Sequence, residues 1–405
     1  MKFSENLVIK KFGGTSVGSL EKIELIADRL LKSYQQGQKF IVVISAMSGD
    51  TNRLEEMGES IYPAYRGLSY DMLISSGEQV SLALLSMSLE KRGIKTYPML
   101  GYQLGIHTDS FFSKANIQAI ETKKIKKVLK EGAIPLVAGF QGVTKEKEIT
   151  TLGRGGSDLT AVALAVVLKQ NSCEIYTDVS GVLTGDPKII PSARKIQELG
   201  FSEMMEMSAL GAKVLQIRCI ELAAKHKIKI HVRDAFKEEE GTWIVDKEDF
   251  MEGSVVSAVS HDLNTVIIRI KKIPNKDLDF LSKLFKQLGE KSIFVDIISK
   301  TEVSGQSSLS FSVSKTDFKD CLDILKQLIP TEDVSLIDKV CKISIIGVGM
   351  SHHSGVASRF FSVFQSLGVH LHLVTTSEIK ISAIIDQDHL KKVAQALHSE
   401  FQLSK

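Results

Sequence analysis

The 405-residue sequence predicts an α/β protein, a largely parallel sheet sandwiched by helices and followed by two smaller α/β units. Three observations predict it. From Leu7 to Leu168 short β-type runs alternate with stretches of helical periodicity. The strand candidates are mostly apolar throughout, as expected for strands covered on both faces of a parallel sheet. Further along, one layout of strand, helix, strand and strand occurs twice.

Taken in order, Leu7–Phe12 reads as a strand, Leu20–Tyr34 as a helix and Phe40–Ser45 as a second strand. In that helix Ile23, Ile26, Ala27, Leu30, Leu31 and Tyr34 repeat at three- and four-residue steps, and Gly37 is the stop signal. Ile134–Phe140, Glu174–Asp178 and Ile228–Val232 are further strands. Lys237–Gly253 is the most polar stretch between patterned regions and marks a domain seam. The first copy of the repeated layout is Val266–Ile270, Leu278–Leu288, Phe294–Ile298 and Leu309–Val313. The second is Ile343–Gly347, Val356–Leu367, Val369–Thr375 and Ile379–Ile385, so a small βαββαβ unit is duplicated. The expected domains are residues 1–245, residues 246–332 (linker and first copy) and residues 333–405.

Composition narrows the function. Hydrophobic residues at 43% and charged residues at 24% describe an ordinary globular chain. A net charge of +3 supplies no field for nucleic acid, and Lys123, Lys124, Lys126 and Lys127 interleave with Ile125, Val128 and Leu129 as a solvated helix face. Small ligands are expected. Cys173, Cys219, Cys321 and Cys341 lack CxxC spacing and read as free thiols of a reducing compartment. With no signal peptide and no apolar run of spanning length read from the sequence, the expectation is a cytoplasmic protein without a membrane partner. His352, His353, His370 and His372 lack the cysteines or clustered carboxylates of a first shell, so they read as surface or effector-loop residues and no structural metal is expected.

Three glycine-bearing turns enter helices: residues 11–18 (Lys-Phe-Gly-Gly-Thr-Ser-Val-Gly), 45–51 (Ser-Ala-Met-Ser-Gly-Asp-Thr) and 153–158 (Gly-Arg-Gly-Gly-Ser-Asp). Glycine lets backbone N–H groups approach an anion, and a helix N-terminus adds positive potential, so phosphate is the natural guest. Neither a Walker GxxxxGK[ST] nor a Rossmann GxGxxG fits.

Lys-Phe-Gly-Gly-Thr-Ser-Val at 11–17, Ser-Ser-Gly-Glu-Gln-Val-Ser at 75–81, Thr-Thr-Leu-Gly-Arg-Gly-Gly-Ser-Asp at 150–158, Tyr-Thr-Asp-Val at 176–179 and Gly-Ala-Lys-Val-Leu at 211–215 resemble the signatures of aspartate kinases. The resemblance continues at His231-Val232-Arg233, at Gly347–Met350 and at Thr376–Lys380, and spans nearly the whole chain. It implies an amino acid kinase fold followed by two ACT domains. It also implies ATP-dependent phosphorylation of L-aspartate to 4-phospho-L-aspartate, the first step toward lysine, threonine and methionine.

The residues agree with that chemistry. A carboxylate nucleophile is already ionised at neutral pH, so positioning and positive charge matter more than a general base. The resemblance implies catalytic roles for Lys11, Asp158 and Lys213. Lys11 neutralises the transferring phosphoryl group; Asp158 organises the lysines and also suits the first turn of a helix as a dipole-matching acid. Arg154 presents a planar fork to the substrate's α-carboxylate and Glu78 a negative charge to its ammonium. Ser45, Thr51, Phe140, Gly155, Gly156 and Ser157 complete the implied aspartate pocket, with a helix-cap role the alternative for Ser45 or Thr51. Lys11, Phe12, Gly13, Gly14, Thr177, Asp178, Leu183, Thr184, Asp186, Lys188, Lys213 and Val214 match nucleotide positions, with Mg²⁺ carried on the phosphates of ATP.

Two positions depart from the commoner family pattern. Lys188 stands where arginine is usual, and Gln216-Ile217 stands where many members have His-Pro. The second copy keeps a glycine-bearing turn at Gly347–Gly355, with Met350, Ser354, Gly355 and Val356 as the implied effector residues. The first copy has the glycine-free Lys272–Asp279, read either as a purely structural turn or as an altered pocket. The expected partners are thus lysine or threonine at the ACT units and at least one further copy of the chain. Rival readings are a kinase for another acceptor and an inactive amino-acid sensor, and intact Lys11, Glu78, Arg154, Asp158 and Lys213 argue against the sensor.

Overall fold

The computed structural model describes residues 7–212, 214–246, 255–273, 277–303, 305–350 and 353–404. Lys213, most of the polar seam from 247 to 253, residues 274–276 of the first copy's turn and His352 lie outside these described residues.

The first compact unit comprises residues up to Val182 together with Lys195 through the end of its last strand. Its strands are β1 (Leu7–Phe12), β2 (Lys39–Ile44), β3 (Thr96–Met99), β4 (Ile106–Thr108), β5 (Ile117–Ile120), β6 (Ile134–Ala138), β7 (Gln141–Val143), β8 (Ile149–Thr151), β9 (Ser172–Thr177), β10 (Glu198–Gly200), β11 (Lys229–Asp234) and β12 (Thr242–Val245). Its helices are α1 (Leu20–Gln35), α2 (Asp50–Ile61), α3 (Leu68–Ile74), α4 (Ser76–Lys91), α5 (Gly101–Leu104), α6 (Lys123–Lys130), α7 (Gly156–Val167), α8 (Phe201–Ala209) and α9 (Ile217–His226).

Eight strands form one sheet in the order β10-β12-β11-β9-β1-β2-β6-β3, with β11 and β12 antiparallel and the other neighbours parallel. The continuous apolar runs sit where the reading expects. Phe40, Ile41, Val42, Val43 and Ile44 are all buried, and each such side chain contributes about 1.5–3 kcal/mol. Helix α1 lays Ile23, Ile26, Ala27 and Leu30 on the sheet, and the Ser19 side chain caps it by accepting the Lys22 N–H. A smaller sheet, β5-β4-β7-β8, lies in the same unit.

One stretch departs from the reading of membrane-spanning length. Leu68–Lys91, which contains α3 and α4, is long and apolar enough to span a membrane by composition, yet 56% of its apolar window is buried in the protein. Gly77, Ser81, Leu82, Leu85 and Leu89 of α4 are buried, the pattern of a core helix.

The second unit contains β13 (Ala258–Asp262), β14 (Thr265–Ile270), α10 (Asp277–Glu290), β15 (Ile298–Val303), β16 (Gln306–Ser314), α11 (Phe318–Leu328), β17 (Val334–Ile337), β18 (Val340–Ile346), α12 (Val356–Leu367), β19 (Leu373–Thr376), β20 (Lys380–Asp386) and α13 (Leu390–Glu400). The first copy is β14, α10, β15, β16, α11 and β17, with sheet order β15-β16-β14-β17. The second has sheet order β13-β18-β20-β19. Its outer strand β13, antiparallel to β18, precedes the whole first copy in sequence. The first copy is therefore inserted within the second.

That nesting corrects the expected boundaries. A cut at residue 332 would sever β17 from β14, its antiparallel partner. Expected strand Phe294–Ile298 is displaced to β15, whose residues are almost all exposed; an edge strand without an apolar face leaves no alternation to read. Leu183–Arg194, expected in the kinase domain, belongs to the second unit. Ile190 enters the core around Phe360, Phe364 and Leu397. Thr184 Oγ1 accepts the Arg194 N–H at 3.0 Å and is hydrogen-bonded to His398 Nε2 at 2.8 Å. Burial, with the nearby Arg194 charge, pushes the His398 pKa down.

Candidate active site

Parallel strands deliver their following turns to one edge of a sheet, and β1 is flanked by β2 and β9 at its carboxyl end. Beside it opens a cleft of about 1000 Å³, lined by Lys11, Gly14, Ser45, Thr51, Glu78, Phe140, Arg154, Gly155, Gly156 and Ser157 among others. Ten of the expected residues, distant in sequence, thus share one surface.

The first two turns touch through backbone. Ser48 N–H donates to the Gly14 carbonyl at 3.1 Å, and a Cβ at residue 14 would lie 2.9 Å from the Ala46 carbonyl oxygen. Only glycine permits that approach. The third turn has the same requirement: Gly155 has φ +72°, and a Cβ there would overlap the Gln216 side chain at 1.8 Å. Gln216 is therefore a packing partner of this turn.

Lys11, at 8% exposure, ion-pairs with Asp158, which sits in the first turn of α7 where an acid matches the helix dipole. Glu78 lies on α4 with Oε1 accepting the Ala46 N–H at 3.0 Å, while buried Oε2 has no partner among the described residues. Burial pushes its pKa up to about 8, opposed by the Ala46 N–H and by Lys11. Arg154 is exposed, and among the described residues its guanidinium has no partner. Phe140 holds the left-handed conformation at φ +68°, packed with Leu54, Tyr70 and Ile74.

Neither Ser45 nor Thr51 caps α2. Gly49 occupies the cap position, with no side-chain hydrogen bond. Ser45 instead accepts the Ser81 hydroxyl at its carbonyl oxygen, 2.6 Å away.

Other expected residues lie elsewhere. The Phe12 side chain is fully buried and stacks on Tyr176 at 4.7 Å, so the side chain itself belongs to the core and only the backbone of Phe12 faces the turn. Gly13 donates its N–H to the Tyr176 carbonyl at 3.1 Å. Thr177 and Asp178 end β9 at the same sheet edge, hydrogen-bonded to each other at 3.2 Å. Leu183, Thr184, Asp186 and Lys188 sit in the second unit, where the Thr184 hydroxyl is committed to His398 and the Lys188 side chain is exposed. Val214 is half-buried; Lys213 is outside the described residues.

In the second copy Gly355, at φ +97°, occupies the cap position of α12. Met350 and Val356 beside it are buried, and Ser354 is exposed. His372 Nε2 pairs with Asp386 at 2.8 Å, and among the described residues no three His, Cys, Asp or Glu side chains cluster as metal ligands.

The cleft also holds residues that sequence reasoning missed: Glu55, Glu59, Arg66, Tyr70, Ser113 and Lys114. Buried Asp71 beside them was missed too. An acid on the inward face of a short apolar helix was the available signal.

Residues 6–234 match the amino acid kinase family, and residues 343–401 match an ACT domain. An aspartate kinase of Pseudomonas putida is 40% identical over 402 residues, 98% of each chain. An aspartokinase of Geobacillus stearothermophilus is 41% identical over 401 residues, again 98% of each. A crystal structure of Escherichia coli aspartokinase III in complex with aspartate and ADP superposes with a TM-score of 0.79 at 24% identity, covering 98% of this chain and 99% of that one.

Proposed function

From the premise that this chain belongs to the amino acid kinase family, and within it to the aspartate kinases, we propose that it moves the γ-phosphoryl group of ATP to the β-carboxylate of L-aspartate, giving 4-phospho-L-aspartate and ADP. The observation that carries this reading is the convergence of Lys11, with its partner Asp158, and of Glu78 and Arg154 on one cleft.

The nucleophile is an ionised carboxylate, so no residue has to remove a proton from it. Arg154 grips the α-carboxylate through its fork and Glu78 pairs with the ammonium, leaving the β-carboxylate to face the nucleotide. Lys11 neutralises charge on the phosphoryl group as it transfers, held in line by Asp158. Mg²⁺ arrives as MgATP and offsets charge on the phosphates. Gly13 and Gly14, the start of α7, Thr177, Asp178, Lys213 and Val214 hold the nucleotide, with Leu183, Asp186 and Lys188 assigned to it by resemblance.

The product feeds lysine, threonine and methionine synthesis in the cytoplasm, and the ACT copies bind one of those amino acids as a feedback signal. The glycine turn of the second copy supports that regulatory assignment.

The test is ADP release by the full chain with aspartate, glutamate or acetylglutamate as acceptor. Turnover on aspartate alone is expected. Turnover on another acceptor would reassign the substrate, and none on any would favour the inactive sensor.

A further inference from the structure

Asp71 is a fully buried carboxylate on α3, a position that costs free energy unless its oxygens are satisfied. One of them, Oδ2, accepts two backbone N–H groups, from Ser113 at 2.9 Å and from Thr151 at 2.6 Å. Burial pushes its pKa up and these two donors oppose the rise. Ser113 lies in the loop that continues into Lys114, and Thr151 ends β8 and leads into the loop of Gly153 and Arg154; Lys114, Gly153 and Arg154 all line the cleft.

The loops are fastened to each other as well. Ala115 N–H donates to the Thr151 carbonyl at 2.9 Å, and a Cβ at residue 153 would come within 3.1 Å of the Ser113 carbonyl oxygen. Arg218 donates to the Leu152 carbonyl and, at 3.0 Å, to the Ala115 carbonyl. Ser113 itself is held at φ +64°, a conformation an L-residue keeps only when its surroundings enforce it. Among the described residues, neither the Lys114 nor the Arg154 side chain has an ion-pair or hydrogen-bond partner.

We propose that Asp71 is a positioning residue for the acceptor amino acid: by tying the two loops through one oxygen, it sets the spacing of Lys114 and Arg154, which together receive the substrate's two carboxylates. The inference rests on the acceptor reading of this cleft and extends it. Lys114 and Arg154, without side-chain partners among the described residues, offer cations to carboxylates, and buried Glu78 offers an acid to an ammonium, within a cleft that also carries Glu55, Glu56 and Glu59.

The experiment compares Asp71→Ala, Asp71→Asn and Lys114→Gln with the wild-type full chain. Asp71→Ala is expected to raise the aspartate KM about tenfold or more while the ATP KM stays within about twofold, because misplaced positioning groups penalise one substrate. Exchange of the Ser113 and Thr151 amides should accelerate in it. Asp71→Asn retains an acceptor oxygen and should restore the aspartate KM to within about threefold of wild type. Lys114→Gln should raise the aspartate KM alone. An unchanged aspartate KM in Asp71→Ala or in Lys114→Gln overturns the proposal, as does a parallel loss of both KM values and of folded protein in the Asp71 variants. A wild-type chain inactive on aspartate would instead remove the acceptor reading itself.

Discussion

Glu78 Oε1 accepts the Ala46 N–H at 3.0 Å, so a helix acid is fastened to the turn after β2 while its second oxygen stays buried without a partner among the described residues. This half-satisfied carboxylate sets the first prediction. With its pKa pushed up to about 8, Glu78 is mostly protonated at neutral pH, whereas pairing with an ammonium requires the ionised form. Aspartate binding therefore releases a proton. Below about pH 8 the value of kcat/KM for aspartate should rise roughly tenfold per pH unit, then level above it. Calorimetry at pH 7 in buffers of different ionisation enthalpy should show the release. A flat profile from pH 6 to 9 contradicts it.

Lys11→Ala should lower kcat by about 10²–10³-fold or more, since the charge matters most in the transition state. The same change leaves Asp158 buried and uncompensated, at about 3–5 kcal/mol. Adding Asp158→Asn to Lys11→Met should recover much of the melting temperature but none of the turnover. Near-normal kcat in either lysine variant would rule out its catalytic role.

Arg154→Lys should raise the aspartate KM strongly, because a point charge replaces a two-pronged contact. Arg154 is exposed and makes no contact that holds the fold, so the melting temperature should not move. A rise confined to the ATP KM would assign Arg154 to the nucleotide.

If the proposed feedback control acts through the second copy, Gly349→Val should desensitise the enzyme to the inhibiting amino acid and leave uninhibited kcat nearly intact. A Cβ at residue 349 would already stand 3.1 Å from the Val255 Cα, and valine's branches would force the effector turn and that neighbouring backbone apart. Initial rates titrated with lysine, threonine and methionine, singly and in pairs, provide the check. Full inhibition in the variant would move control to the first copy.

Light scattering at micromolar concentration should give a mass above the 44.6 kDa of one chain. Strand β15 ends its sheet with Ile298 and Val303 exposed, and such an edge favours pairing with a second copy. A monomeric mass would count against that assembly.

Much was legible before any coordinates. Apolar runs such as Phe40–Ile44 announced buried parallel strands, and the glycine turns announced the starts of α1, α2 and α7, because both signals are local. Arg154, Glu78 and Lys11 could be named from their motifs.

What the sequence by itself determined is therefore the α/β class, the motif residues Lys11, Glu78 and Arg154 among the charged groups of the cleft, and the duplication of the C-terminal unit. Only the tertiary structure decided that β13 completes the second copy from in front of the first, and that Leu183–Arg194 packs with that unit. It alone turned Phe12 inward onto Tyr176 and brought Asp71 to Ser113 and Thr151. The physical reason is range. Propensity and periodicity are carried by residues a few positions apart, whereas strand pairing across a whole inserted domain, and one carboxylate oxygen shared by two distant loops, exist only once the chain has closed on itself.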